Sequence, residues 1–65
     1  MKPIEALNLA LSMELVAIEK YKQFAKELPE VRETFNFLIA EEVKHKELLE
    51  QYLPKKQEER FLSYL

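Results

Sequence analysis

The sequence predicts an all-α protein, an antiparallel two-helix hairpin with a short C-terminal helical segment, dimerising into a four-helix bundle. Three observations carry that expectation. Apolar residues recur at steps of three and four through most of the chain, which is the period of one helix face. There is no glycine, and all twelve acidic residues are glutamate, so nearly every position favours helix. Three prolines, Pro3, Pro29 and Pro54, fall where helices begin or end.

Pro3 suits the first turn of a helix, where its missing N–H costs nothing, and the first helix is expected at roughly 3–28. Its inner stripe reads Ile4, Leu7, Leu11, Glu14, Ile18, Tyr21, Ala25 and Leu28. Pro29 ends that helix and starts the next, expected at roughly 30–53, with Glu30 and Glu33 complementing the positive end of its first turn. The second stripe reads Val31, Phe35, Leu38, Glu42, His45, Leu49 and Tyr52. The connection around Leu28 and Pro29 is too short for anything but an antiparallel αα-hairpin. Residues 1–53 therefore form the hairpin and residues 54–65 a short helical segment.

At 65 residues the chain is one small domain. A single core of that size contributes little net stability, and disulfides, metals or oligomerisation usually compensate. The chain has no cysteine, which excludes a disulfide framework, a zinc–thiolate site, an iron–sulfur cluster and a thiol nucleophile. Association is the remaining route, so a homodimer at least, or a higher oligomer, is expected. With 34% charged residues and a net charge of −2, nothing points to nucleic acid as a partner. No apolar run approaches the roughly 20 residues of a membrane span, and the N-terminus lacks the apolar block of a signal peptide. No membrane partner is expected, and the expected location is the cytoplasm, with a protein compartment inside it as the alternative.

Both stripes are apolar except near their middles, where Glu14, Glu42 and His45 interrupt them. At about 1.5 Å per residue, Glu14 lies roughly 21 Å before the turn and Glu42 roughly 20 Å after it, so the two carboxylates are level. His45 follows Glu42 by three residues and projects from the same face. Two carboxylates and an imidazole make half of a dinuclear metal site. A second hairpin would supply the other half, giving four carboxylates and two histidines, the ligand composition of ferritin-like di-iron and di-manganese bundles. Two divalent ions would also neutralise four inward carboxylates that otherwise carry a heavy desolvation penalty. Oxygen-rich ligation favours iron or manganese, with zinc as a substitute in a crystal.

These residues resemble the ferritin-like superfamily, particularly its rubrerythrin and encapsulated-ferritin branches. Glu14 followed seven positions later by Tyr21 is similar to the family's Glu-x6-Tyr, and Glu42 with His45 is similar to its Glu-x-x-His ligand motif; the likeness covers residues from about 4 to 52. The resemblance implies Glu14 as a terminal ligand, Glu42 as a bridging carboxylate, His45 as a terminal ligand and Tyr21 as a hydroxyl outside the ligand set that orients a carboxylate. It also implies two iron ions per dimer and hairpins paired about a twofold at the metal site. The likeness is nearer to the single-hairpin encapsulated ferritins than to rubrerythrins, which carry both hairpins in one chain and often a cysteine-ligated iron domain. The last residues, Glu59 to Leu65, do not read as a shell-targeting peptide, so an encapsulating shell has no support from them.

The function implied is oxidation of ferrous ion by dioxygen or peroxide, a ferroxidase-type oxidoreductase serving iron handling. Two other readings stand beside it. One is a non-catalytic oligomer held together by metal; the other is a metal-free bundle in which the three polar residues form a hydrogen-bonded layer that sets register. Glu41, about 100° from Glu42 around the helix, is expected in solvent, as is Glu19. One stripe per helix would be enough for a four-helix dimer, so a second apolar surface, with Leu9, Met13, Leu15, Val16 and Phe24 on the first helix and Phe37, Ile39 and Val43 on the second, points to association beyond two chains or to cover by Phe61, Leu62, Tyr64 and Leu65.

Overall fold

The computed structural model describes residues 1–54. Among them the chain forms helix α1 over Pro3–Glu27, a single 3-10 turn over Pro29–Val31 and helix α2 over Arg32–Tyr52, with no strand. The two helices pack side by side as the expected hairpin. Of the C-terminal segment expected over 54–65, all but Pro54 lies outside the described residues.

The local chemistry explains each boundary. Pro3 opens α1 in the first turn and Glu5 sits in that turn, while Lys26 sits in the last, so charge complements the helix dipole at both ends. Leu28 adopts φ −122° and ψ 80° because the proline that follows excludes the helical region. Its N–H donates to the Phe24 carbonyl at 2.8 Å and closes the last turn of α1. Pro29 then starts the 3-10 turn, so α2 begins two residues later than the pattern alone suggested, at Arg32.

Arg32 itself binds the two helices together at the turn. Its Nε–H donates to the Ala25 carbonyl at 2.8 Å, satisfying one of the carbonyls that the end of α1 leaves without a helical partner. Arg32→Ala should lower stability by about 1 kcal/mol. In a domain of this size that is about 4–8 °C in Tm, which thermal denaturation followed by circular dichroism would read; an unchanged Tm would remove Arg32 from the account of the turn.

The stripes form the helix-to-helix contact, with Ile18 and Ala25 buried at 5% and 7% exposure. Leu7, Leu11, Glu14 and Tyr21 on α1 and Phe35, Leu38, Glu42 and Leu49 on α2 are half-buried around them. Phe35 anchors the turn-side half through Tyr21, with ring centroids 5.7 Å apart, and Phe24, at 5.2 Å. Ile39 and Val43, assigned from sequence to an outer surface, are half-buried instead; they lie about 60° and 100° from Glu42 around α2, at the margin of the inner stripe. At the far ends Ile4, Leu28, Val31 and Tyr52 are exposed, and so are Leu9, Met13, Phe37 and Leu48. Two buried side chains among the described residues, Ile18 and Ala25, are too few to stabilise a lone hairpin against chain entropy.

Candidate metal centre

Helix phase and the antiparallel turn bring Glu14, Glu42 and His45 to one point at mid-height of the hairpin. One potential ligand atom from each lies within 4.8 Å of the others. The His45 Nδ1 is 3.7 Å from Glu42 Oε1 and 3.8 Å from Glu14 Oε2. Both gaps are too long for hydrogen bonds. They suit a divalent ion seated between the atoms, since bonds of about 2.0–2.2 Å from nitrogen and oxygen ligands span such separations.

The Glu14 Oε2 atom supplies the second test of fit. It is buried and has no hydrogen-bond partner among the described residues, a costly condition for a carboxylate oxygen. A metal-free register layer would need that atom satisfied, whereas a cation would satisfy it directly. The three side chains also differ in shelter. Glu14 and Glu42 are 23% and 20% exposed, while His45 is 53% exposed. The carboxylates face inward between the helices, and the imidazole stands at the open edge of the site.

The other acidic residues among those described lie outside this cluster. Glu19 pairs with Lys22 at 3.7 Å and Glu50 with Lys46 at 3.2 Å, surface pairs one helical turn apart worth a few tenths of a kcal/mol. Glu41, expected in solvent, is half-buried with its carboxylate 3.3 Å from Lys44. Tyr21 is half-buried against Phe35, and among the described residues its hydroxyl makes no hydrogen bond to Glu14 or Glu42 of the same chain. Leu48, 52% exposed, was overlooked in the sequence pattern. Its phase relative to Glu42 matches that of Phe37 and would have revealed it.

An all-helical hairpin that gathers two glutamates and a histidine at mid-height defines a candidate carboxylate–histidine metal centre of the ferritin-like kind. The family model described as Rubrerythrin matches residues 5–64, and the chain belongs to the rubrerythrin family. Proteins of that family typically bind iron. No curated protein and no solved structure gives a significant match to the chain. None of the helices described is long and apolar enough to cross a membrane.

Proposed function

We propose that this chain is a ferritin-like di-iron protein whose dinuclear site forms between two copies, and that it oxidises ferrous ion with dioxygen or peroxide. The observation that carries the reading is the unpartnered, buried Glu14 Oε2 within 3.8 Å of His45 Nδ1. One hairpin offers one histidine and two carboxylates, too few for two ions. A second copy doubles the set to the six residues such sites use.

Ferrous ions bound there would supply the electrons that reduce the oxidant, one per ion. The chain's own residues do the rest. Glu14 and Glu42 would hold the ions and balance their charge, and flexible carboxylates tolerate the change in ion charge on oxidation by altering how their oxygens bind. His45 would close one side of the site. Leu11, half-buried, and Ile18, buried, lie one turn away along α1 on either side of Glu14 and give it apolar neighbours on the stripe. Tyr21, on the same stripe two turns beyond Glu14, is the hydroxyl we assign to orienting a carboxylate in the assembled site.

Anaerobic loading with ferrous ion followed by exposure to air tests the reading. Binding should saturate at two ions per dimer, and oxidation should outpace that in protein-free buffer. An iron-edge anomalous map of crystals of the loaded protein should place its peaks between Glu14, Glu42 and His45. Binding with no accelerated oxidation would leave the non-catalytic metal-held oligomer. Tyr21→Phe should keep the stoichiometry and weaken iron affinity by about 10–100-fold, the usual effect of removing a group that orients a ligand. A variant with unchanged affinity would reduce Tyr21 to core packing.

A further inference from the structure

We propose that the side of the hairpin carrying Met13, Phe24, Phe37 and Leu48 is the surface on which a second copy docks. In that pairing Phe37 of each copy packs against Leu48 of the other, and the two Met13 side chains lie together. The assignment deepens the two-copy reading above, since it says which face completes the site.

Helix phase defines the face. With Glu14 as the inward direction on α1, Ala6, Leu9, Met13, Lys20, Phe24 and Glu27 fall roughly 80–140° to one hand at 100° per residue; with Glu42 inward on α2, Thr34, Phe37, Glu41, Leu48 and Tyr52 fall roughly 80–140° to the same hand. In two antiparallel right-handed helices, equal rotations from the inward direction lead to the same side of the pair. These residues therefore share one broad face. Met13 and Phe37 are each 65% exposed there, a level that marks large apolar side chains with no partner. Met13, Val16 and Phe24 also line a groove of about 420 Å³ on that side. The opposite side carries Asn8, Lys22 and Lys26 on α1 and Asn36, Glu47 and Glu50 on α2, with Ile4, Leu15 and the half-buried Val43 as its apolar exceptions.

A second copy is the occupant that the site itself requires. His45, the exposed ligand candidate, lies about 60° from the inward direction towards this same face. The open edge of the metal cluster thus points where the apolar residues point. Phe37 lies about 7 Å to the turn side of Glu42 and Leu48 about 9 Å to the other side. A twofold perpendicular to the helices at the level of the site brings each opposite the other, the self-complementarity an isologous contact needs. Met13 is one residue from that level and meets its own copy. The same axis sets Leu9 against Lys20 and the two Glu41 side chains near each other, whereas a twofold parallel to the helices would pair Leu9 with Leu48 but set Met13 against Glu41 and Phe37 against Lys20. The 21 residues of α2 make this face about 30 Å long, and two helices make it about 20 Å wide. The resulting roughly 600 Å² per copy approaches the roughly 800 Å² per partner of a standard stable interface.

Because the chain has no cysteine, introduced thiols report the pairing directly. A Phe37→Cys, Leu48→Cys double variant cannot bridge within one chain, since the two positions are about 16 Å apart along α2. Under mild oxidation it should run as a covalent dimer on a denaturing gel, while each single variant stays monomeric. Met13→Cys alone should also cross-link, a second readout that leaves the Phe37 and Leu48 contact intact. Absence of a covalent dimer from both the double variant and Met13→Cys, with helix content retained, overturns the assignment. So does a wild-type chain that sediments as a monomer at the same concentration, or a cross-link between Leu9→Cys and Leu48→Cys in place of the expected ones. Each reaction is run with chelator and with ferrous ion. Cross-linking without iron uptake supports the docking face and ends the metal reading; iron uptake without cross-linking does the reverse.

Discussion

Glu14→Leu is expected to abolish stoichiometric metal binding and ferrous-ion oxidation while leaving the helices intact and making the metal-free protein more stable. The three effects share one cause. The Glu14 Oε2 atom is buried and has no hydrogen-bond partner among the described residues, so in the proposed site it would contribute a ligand when an ion is present and a desolvation penalty when none is. Leucine extends the apolar run between Leu11 and Ile18 and removes that penalty. Leaving such an atom unsatisfied typically costs about 1–3 kcal/mol. Because Glu14 retains 23% exposure, the gain in the chelated protein should fall near the lower limit, about 1 kcal/mol. Iron affinity should fall by more than about tenfold, beyond the lower limit seen on losing a merely supporting residue. His45→Ala should lose metal equally, without the stability gain, since the exposed imidazole carries no such penalty. Equilibrium dialysis and chelated melts check both arms. Wild-type stoichiometry in either variant would show that the ligand set is wrong.

Metal and assembly should prove to be one equilibrium. If the ions bind between copies, free metal at 100 times its dissociation constant stabilises the complex by about 2.7 kcal/mol for each ion, one ion per chain. That corresponds to a rise on the order of 10–20 °C in Tm for domains of this size. Linkage is reciprocal, so the two ions of the dimer together should tighten association of the two chains about 10,000-fold. Sedimentation equilibrium with and without chelator measures the second quantity and calorimetry the first. A site completed within one chain would raise Tm and leave association unchanged. A metal-free structural bundle would respond to chelation in neither measurement.

Much of the fold was legible because helices obey short-range rules. The three-and-four spacing, the absence of glycine and the placement of Pro3 and Pro29 are local features, and α1 ends within one residue of where they put it. The start of α2 was less legible, since Pro29 opens a 3-10 turn and Arg32 reaches back to Ala25, a bond between residues on either side of the turn. The metal cluster was legible to the extent that level and phase could be counted. Glu14, Glu42 and His45 meet where that count puts them.

Burial was the weaker inference. Ile39 and Val43 looked like outer residues, and Val31 and Tyr52 like inner ones, because a stripe drawn on a single helix does not say where the neighbouring helix begins and ends. The sequence by itself determined two helices, a tight turn between them and three candidate ligands on inward phases, all consequences of the fixed pitch and rise of the α-helix. Only the tertiary structure decided how deeply each side chain sits. Helix packing shelters Glu14 and Glu42, leaves His45 at the open edge and strands one carboxylate oxygen without a partner, because burial depends on the distance and shape of the facing helix.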